Sequence, residues 1–139
     1  MRAADERARF EHEKRIEIRW RDLDAFGHVN HVVFLTYLEE SRDEWLGRSL
    51  GDPEGVWDWV VARVEVNYRR ELALADDTVI ATCRLARIGR SSVSTHEEVR
   101  TAGGELAAEA SAVLVARDRD SGRSRPLTAA ERAAFEGDA

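Results

Sequence analysis

Cysteine is nearly missing from this chain. Cys83 stands alone among 139 residues, so no intrachain disulfide can form and a reducing compartment, the cytoplasm, is expected. Only 2 prolines and 9 glycines occur, and nowhere do they cluster into a linker that would split the chain. No run approaches the ~18 consecutive apolar residues of a membrane span. The stretch Met1 to Arg15 is dense in charge and has no apolar signal core. An excess of positive charge is lacking too: Lys and Arg number 21 against 27 Asp and Glu, a net charge of −6, which argues against a nucleic-acid partner. What remains, 43% hydrophobic and 35% charged residues, suits one soluble globular domain. A chain of this size buries roughly two-thirds of its unfolded surface without staples.

The hydrophobic spacing predicts the elements. Residues 1–13 are polar and read as a flexible segment ahead of a single domain over 14–139. From Lys14 to Arg21, Ile16, Ile18 and Trp20 alternate with Arg15, Glu17 and Arg19, the mark of a half-buried strand. Asn30 is placed to cap a helix whose apolar positions Val33, Phe34, Tyr37, Leu38, Trp45 and Leu46 recur at helical steps. Val32 and Leu35 widen that stripe, predicting a helix covered on most sides, with Gly47 as its stop and 48–56 as loop. The period then falls to two. Strands are expected at Trp59 to Tyr68 (with one irregularity), Thr78 to Arg87, Ser92 to Arg100 and Leu106 to Arg117, the last despite its alanines. Thr128 and Glu131 form a capping box for a short terminal helix. Strand, long helix and then a four-strand meander predict an α+β architecture, one helix against one face of an antiparallel sheet.

The densest chemistry lies between Arg21 and His31. Two carboxylates (Asp22, Asp24), two imidazoles (His28, His31), a glycine (Gly27) and the Asn30 cap fall within one turn. An acid held just before a helix N-terminus can deliver or activate a nucleophile, while unpaired amides of the first turn polarise a carbonyl. Gly27 gives the backbone room for a close approach.

Asp24-x-x-Gly27-His28-Val29-Asn30-His31, followed by Phe34-x-x-Tyr37-x-Glu39-x-x-Arg42, resembles the signature of hotdog-fold acyl-CoA thioesterases of the 4-hydroxybenzoyl-CoA thioesterase type. Val64 to Arg70, the Asp76-Asp77 turn and Ile88-Gly89-Arg90-Ser91-Ser92 extend the likeness in order over roughly residues 14–127. One departure is Leu72, near where relatives often carry proline, which is expected to alter a loop and not the chemistry. The resemblance implies a hotdog fold, an antiparallel sheet wrapped around the long helix. It also implies protomers paired through their sheets as a homodimer or homotetramer, with sites at the subunit boundary. Asp24 would do the chemistry, the backbone N–H of His31 would polarise the thioester carbonyl, and Gly27 would flank the pocket. The expected substrate is an acyl-CoA or acyl-carrier thioester, with no cofactor.

Each candidate has a plainer role beside the chemical one. Asp24 can simply accept from loop amides. Asp22 reads as a surface partner of Arg19 or Arg21, and Glu39 with Arg42 as an i,i+3 ion pair. His28 either orients a carboxylate, bonds a substrate carbonyl, or ties the loop together. Asn30 is first a cap and second a substrate contact. Tyr37 belongs to core or interface. Ser91 and Ser92 are candidates for fixing substrate or water, and Arg69, Arg70, Arg87 and Arg90 for meeting nucleotide phosphates, although such arginines are more often solvated. Asp22, Asp24, His28 and His31 have ligand chemistry, but their spacing matches no compact metal site. Four functions stay open: an acyl-CoA hydrolase, a hydrolase for carrier-bound acyl groups, an acyl-binding or scaffolding protein without turnover, and a metal-dependent hydrolase that would lose activity on chelation.

Overall fold

The computed structural model describes residues 11–138. Its main elements are β1 (His12–Glu17), α1 (His31–Leu50), β2 (Trp59–Tyr68), β3 (Thr78–Ile88), β4 (Ser92–Thr101), β5 (Leu106–Ala116) and α2 (Ala129–Asp138). Short 3-10 turns lie at Trp20–Asp22, Pro53–Asp58 and Leu74–Asp76. The five strands form one antiparallel sheet in the order β1-β3-β4-β5-β2. Helix α1 lies against one face of it, and α2 closes one end. The expected α+β, hotdog arrangement is present.

Two buried clusters fill the space beneath α1. Phe34, Tyr37 and Leu38 pack with Val79, Ala81, Ala107 and Ala108, while Trp45 and Leu46 pack with Trp59, Leu114 and Phe135. The alanines that made β5 ambiguous point mostly inward (Ala108, Ala110, Ala112 and Ala116 are buried), and their small side chains leave room for the helix to approach the sheet. The Thr128–Glu131 capping box forms as expected. The Thr128 amide donates to Glu131 Oε1 at 2.8 Å, and the Glu131 amide donates to Thr128 Oγ1 at 3.0 Å.

Four expectations are corrected. First, β1 runs from His12 to Glu17 and not from Lys14 to Arg21. The Arg19 amide donates to Asp22 Oδ2 at 2.9 Å, which closes a 3-10 turn and leaves Trp20 exposed. Residues 1–10 of the expected flexible segment lie outside the described residues. Second, α1 passes through Gly47 and ends at Gly51, whose φ of 69° forms a left-handed cap. Gly47 lies within the helix beside Pro53, whose Cα stands 3.5 Å from where a Cβ would be, an ordinary contact distance. The expected 48–56 loop is therefore helix as far as Leu50, and a 3-10 turn begins at Pro53.

Third, the strands do not run as a four-strand meander. Only β3, β4 and β5 follow one another as hairpins; β2 pairs with β5 at one edge and β1 with β3 at the other. The chain from 69 to 77 makes this crossover, anchored by the fully buried Leu72, whose carbonyl accepts from the Val29 amide at 2.7 Å. Fourth, α1 is not covered on most sides within one chain. Val32 and Leu35 are 55% and 38% exposed, and β2 leaves Val60, Val61 and Tyr68 open beside a strand edge that is unpaired among the described residues.

Candidate active site

The loop between the Trp20–Asp22 turn and α1 is closed by its own hydrogen bonds. Leu23 bridges Val29, the Asp24 amide donates to the His28 carbonyl at 2.9 Å, and the Gly27 amide donates to the Asp24 carbonyl at 3.0 Å. Gly27 completes the turn at φ 83°, a conformation that side-chain-bearing residues resist. At the loop's foot the Asn30 amide donates to the Asp22 carbonyl at 2.9 Å.

Asp22 is buried and not at the surface as expected, although its partner is indeed Arg19. Its Oδ2 accepts from the Arg19 amide and from the Tyr37 hydroxyl, the latter at 2.7 Å. Burial alone pushes the Asp22 carboxyl up, but these donors and the nearby guanidinium outweigh it and hold the group below the usual carboxylate range. Burial, together with the same contact, raises the Tyr37 phenol well above its ordinary value. The hydroxyl therefore stays a donor, and it ties the loop to the helix.

Asn30 caps α1 as its position predicts, its Oδ1 accepting from the Val32 amide at 2.9 Å. The Asn30 carbonyl takes the Val33 amide at 2.9 Å. The His31 N–H finds no acceptor among the described residues, so one donor of the first helical turn is left unpaired. From β2 the Tyr68 hydroxyl donates to the His31 carbonyl at 2.8 Å, and its ring meets those of His31 and Phe34 edge-on.

These groups border a cavity of about 340 Å³ lined by Val29, His31, Phe34, Tyr68, Arg69, Arg70 and Glu71. Of the anticipated residues, His31, Arg69 and Arg70 line it. Asp24, Gly27, His28 and Asn30 belong to the adjoining loop and helix start. Asp24 is half-buried, and its Oδ1 accepts from the Phe26 amide at 2.9 Å. His28 pairs with Glu71 across 3.2 Å and bridges Ala73, so it ties the loop to the 69–77 crossover. Arg69 and Arg70 are paired with carboxylates, Arg69 with Glu109 and Arg70 with both Asp76 and Glu105.

Arg90, Ser91 and Ser92 are not brought to this cavity. Ser92 faces Val115 on β5, whereas Tyr68 faces Ala108, about 24 Å further along that strand at ~3.4 Å per residue. Gly89 shapes their hairpin. A Cβ there would lie 2.9 Å from Ser92 Oγ and 3.2 Å from its carbonyl oxygen. Arg87 is exposed on the same hairpin side of β3. The expected Glu39–Arg42 pair is also replaced. Arg42 turns inward to buried Glu97, with Nε and Nη2 each 2.9 Å from a carboxylate oxygen. Among the described residues no three His, Cys, Asp or Glu side chains gather in an arrangement that would hold a metal.

Val29, Tyr68 and Glu71 went unrecognised as lining residues in the sequence, whereas Phe34 lies on the apolar stripe read there for the helix. Tyr68 carried an aromatic signal at a strand end, whereas Val29 and Glu71 carried none.

The thioesterase-like superfamily model matches residues 18–135. The long-chain acyl-CoA thioesterase FadM of Escherichia coli K12 is 29% identical over 111 residues, covering 74% of this chain and 80% of FadM. A Thermus thermophilus thioesterase crystallised with coenzyme A and zinc is 39% identical, with TM-score 0.81, covering 89% of this chain and 96% of that one. A predicted thioesterase from Bacillus stearothermophilus is 25% identical, with TM-score 0.83, covering 91% of this chain and 95% of that one. No described helix is long and apolar enough to cross a membrane. By the extent of that match and by its fold, this chain belongs to the thioesterase-like superfamily.

Proposed function

We propose that this protein hydrolyses an acyl-CoA thioester, with Asp24 as nucleophile or general base and the start of α1 as the oxyanion site. The observation that carries the reading is the unpaired His31 N–H at the edge of a partly apolar cavity, next to a loop that holds a carboxylate. Superfamily membership and the likeness to FadM support thioester cleavage.

The chemistry follows from charge. Attack on the thioester carbon moves negative charge onto its oxygen, and an unpaired amide at a helix N-terminus stabilises that charge more than it does the neutral carbonyl. Two routes are open to Asp24. As general base it takes a proton from water as the hydroxide adds, and the tetrahedral intermediate expels the thiolate, which is then protonated. As nucleophile its carboxylate adds to the thioester carbon and expels the thiolate, which is then protonated, leaving an acyl-aspartyl anhydride that water opens to the free acid and the aspartate. A single turnover in isotopically labelled water separates them, because only the anhydride route can place label in the aspartate.

The free β2 edge supports a homo-oligomer. An unpaired edge bearing Val60, Val61 and Tyr68 is a template for strand addition. Antiparallel pairing of two β2 strands about a two-fold axis sets the Trp59 end of one beside the Tyr68 end of the other. The partner's Ser91 and Ser92 would then stand at the same end of the joined sheet as this cavity, about three strand spacings away (~14 Å). That span suits the arm of a CoA, which gives Ser91, Ser92 and Arg90 a substrate-binding role only in the assembled pair, with Arg69 acting from the same chain.

Asp24→Asn is expected to lower acyl-CoA hydrolysis at least 100-fold, within the usual range for a general acid or base, while leaving oligomer size and melting temperature unchanged. Full activity of this variant across several acyl-CoAs would remove Asp24 from the reaction. A second reading, acyl binding without turnover, is favoured by the bond from the Phe26 amide to Asp24 Oδ1, which gives that carboxylate a loop-closing task. It requires acyl-CoA binding with no thiol release by the wild type.

A further inference from the structure

The cavity's lining is of two kinds. Arg69, Arg70 and Glu71 bring guanidinium and carboxylate groups; Val29, Phe34 and the Tyr68 ring bring apolar surface. His31, with its unpaired N–H, meets the Tyr68 ring edge-on, and its carbonyl accepts from the Tyr68 hydroxyl. A thioester held at that amide must send its acyl group one way and its sulfur arm the other. Hydrocarbon is favoured against Val29 and Phe34, and the polar arm against the charged residues.

The apolar lining is backed by the core. Phe34 is only 3% exposed although it lines the cavity, so its ring belongs to the cavity wall as well as to the core. The Tyr68 ring meets it edge-on, with ring centres 5.2 Å apart. The Tyr37 ring centre lies 6.4 Å from that of Phe34, and Tyr37 cannot swing aside without breaking its bond to buried Asp22. Phe34 and Tyr37 share one buried cluster with Leu38, Ala107 and Ala108.

We infer that Phe34 is the specificity-determining residue for acyl length, its ring stopping the chain where the helix meets the sheet. The inference rests on the acyl-thioester reading above. A smaller residue at 34 deepens the cavity toward Tyr37 and admits longer chains, and a larger one makes it shallower.

The test uses the chain as it assembles in solution and two readouts: thiol release from saturated acyl-CoAs of increasing length, and affinity for the matching S-alkyl-CoA thioethers, which cannot be hydrolysed. Phe34→Leu and Phe34→Ala are expected to raise the long-to-short ratio of kcat/KM and of affinity at least tenfold, the scale set by gaining or losing a methylene-sized space in an apolar pocket. Phe34→Trp is expected to move both ratios the opposite way. Leu is included because the Ala variant removes core packing and can unfold the chain, whereas Leu conserves most of the volume. Unmoved length profiles in folded Leu and Trp variants that still hydrolyse acyl-CoA overturn the assignment of Phe34 alone. Shifted thioether affinities in a protein that hydrolyses nothing leave Phe34 in place and overturn the catalytic reading instead. Absence of both thioether binding and hydrolysis in the wild type overturns the two together.

Discussion

Glu97→Ala is expected to bring this protein close to unfolding, although residue 97 touches neither the cavity nor its loop. Glu97 is fully buried and Arg42 is 3% exposed. The carboxylate accepts two guanidinium bonds at 2.9 Å and a further bond from the Thr95 hydroxyl, with the Cys83 thiol 3.9 Å away. Truncation leaves the Arg42 charge uncompensated away from water and the Thr95 hydroxyl short of an acceptor. Losing one member of such a buried pair costs about 3–5 kcal/mol, against a total stability of roughly 5–15 kcal/mol for a domain. Desolvation of both charges, however, offsets most of what their attraction contributes. The double variant Arg42→Met, Glu97→Leu should therefore lie within ~1 kcal/mol of the wild type or above it. Urea titrations at one pH and one protein concentration read both numbers, provided the slope stays constant. A single-variant loss under ~1 kcal/mol would mean that water reaches the pair, refuting the burial argument. A double variant as unstable as the single would show that the charges themselves hold α1 on the sheet.

Other outcomes follow from the loop and its cap. Tyr37→Phe deletes a donor to buried Asp22 and is expected to cost about 1–3 kcal/mol in urea. It also carries a pH signature. The Asp22 carboxyl is held low in the folded state, so its stabilisation is complete above the unfolded carboxylate pKa of about 3.9 and is lost as pH falls through the lower folded value. Acid unfolding of Tyr37→Phe should therefore begin at higher pH than in the wild type, and coincident acid transitions would argue against this linkage. Asn30→Ala removes the acceptor for the Val32 amide and is expected to cost about 1 kcal/mol. It should also slow acyl-CoA cleavage, because the first turn then frays around the His31 amide; unchanged turnover would separate the cap from the chemistry.

Much of the site's frame was legible residue by residue. Asn30 as a cap, Gly27 as a turn and Thr128 with Glu131 as a capping box are interactions closed within a few positions, and each is present. Asp22 was half legible. Its tie to Arg19 is local, but its burial comes from Tyr37, 15 positions on. The partner of Arg42 was not legible, since the nearer Glu39 satisfies the same charge rule while the observed Glu97 is 55 positions away.

Local spacing by itself determined the type of the long helix and of most strands, though not their ends, and where the acid, the glycine and the cap fall relative to the helix start. Those outcomes depend on backbone geometry and on hydrogen bonds that close within a turn. Tertiary structure alone decided that β2 crosses to the far side of β5, that Tyr68 therefore reaches the first turn of α1, and that Ser91 and Ser92 lie at the opposite end of the sheet. Strand order is a competition between pairings that alternate alike along the chain. It is settled only when a residue such as Leu72 finds its place in the core and carries the strand after it to one edge rather than the other.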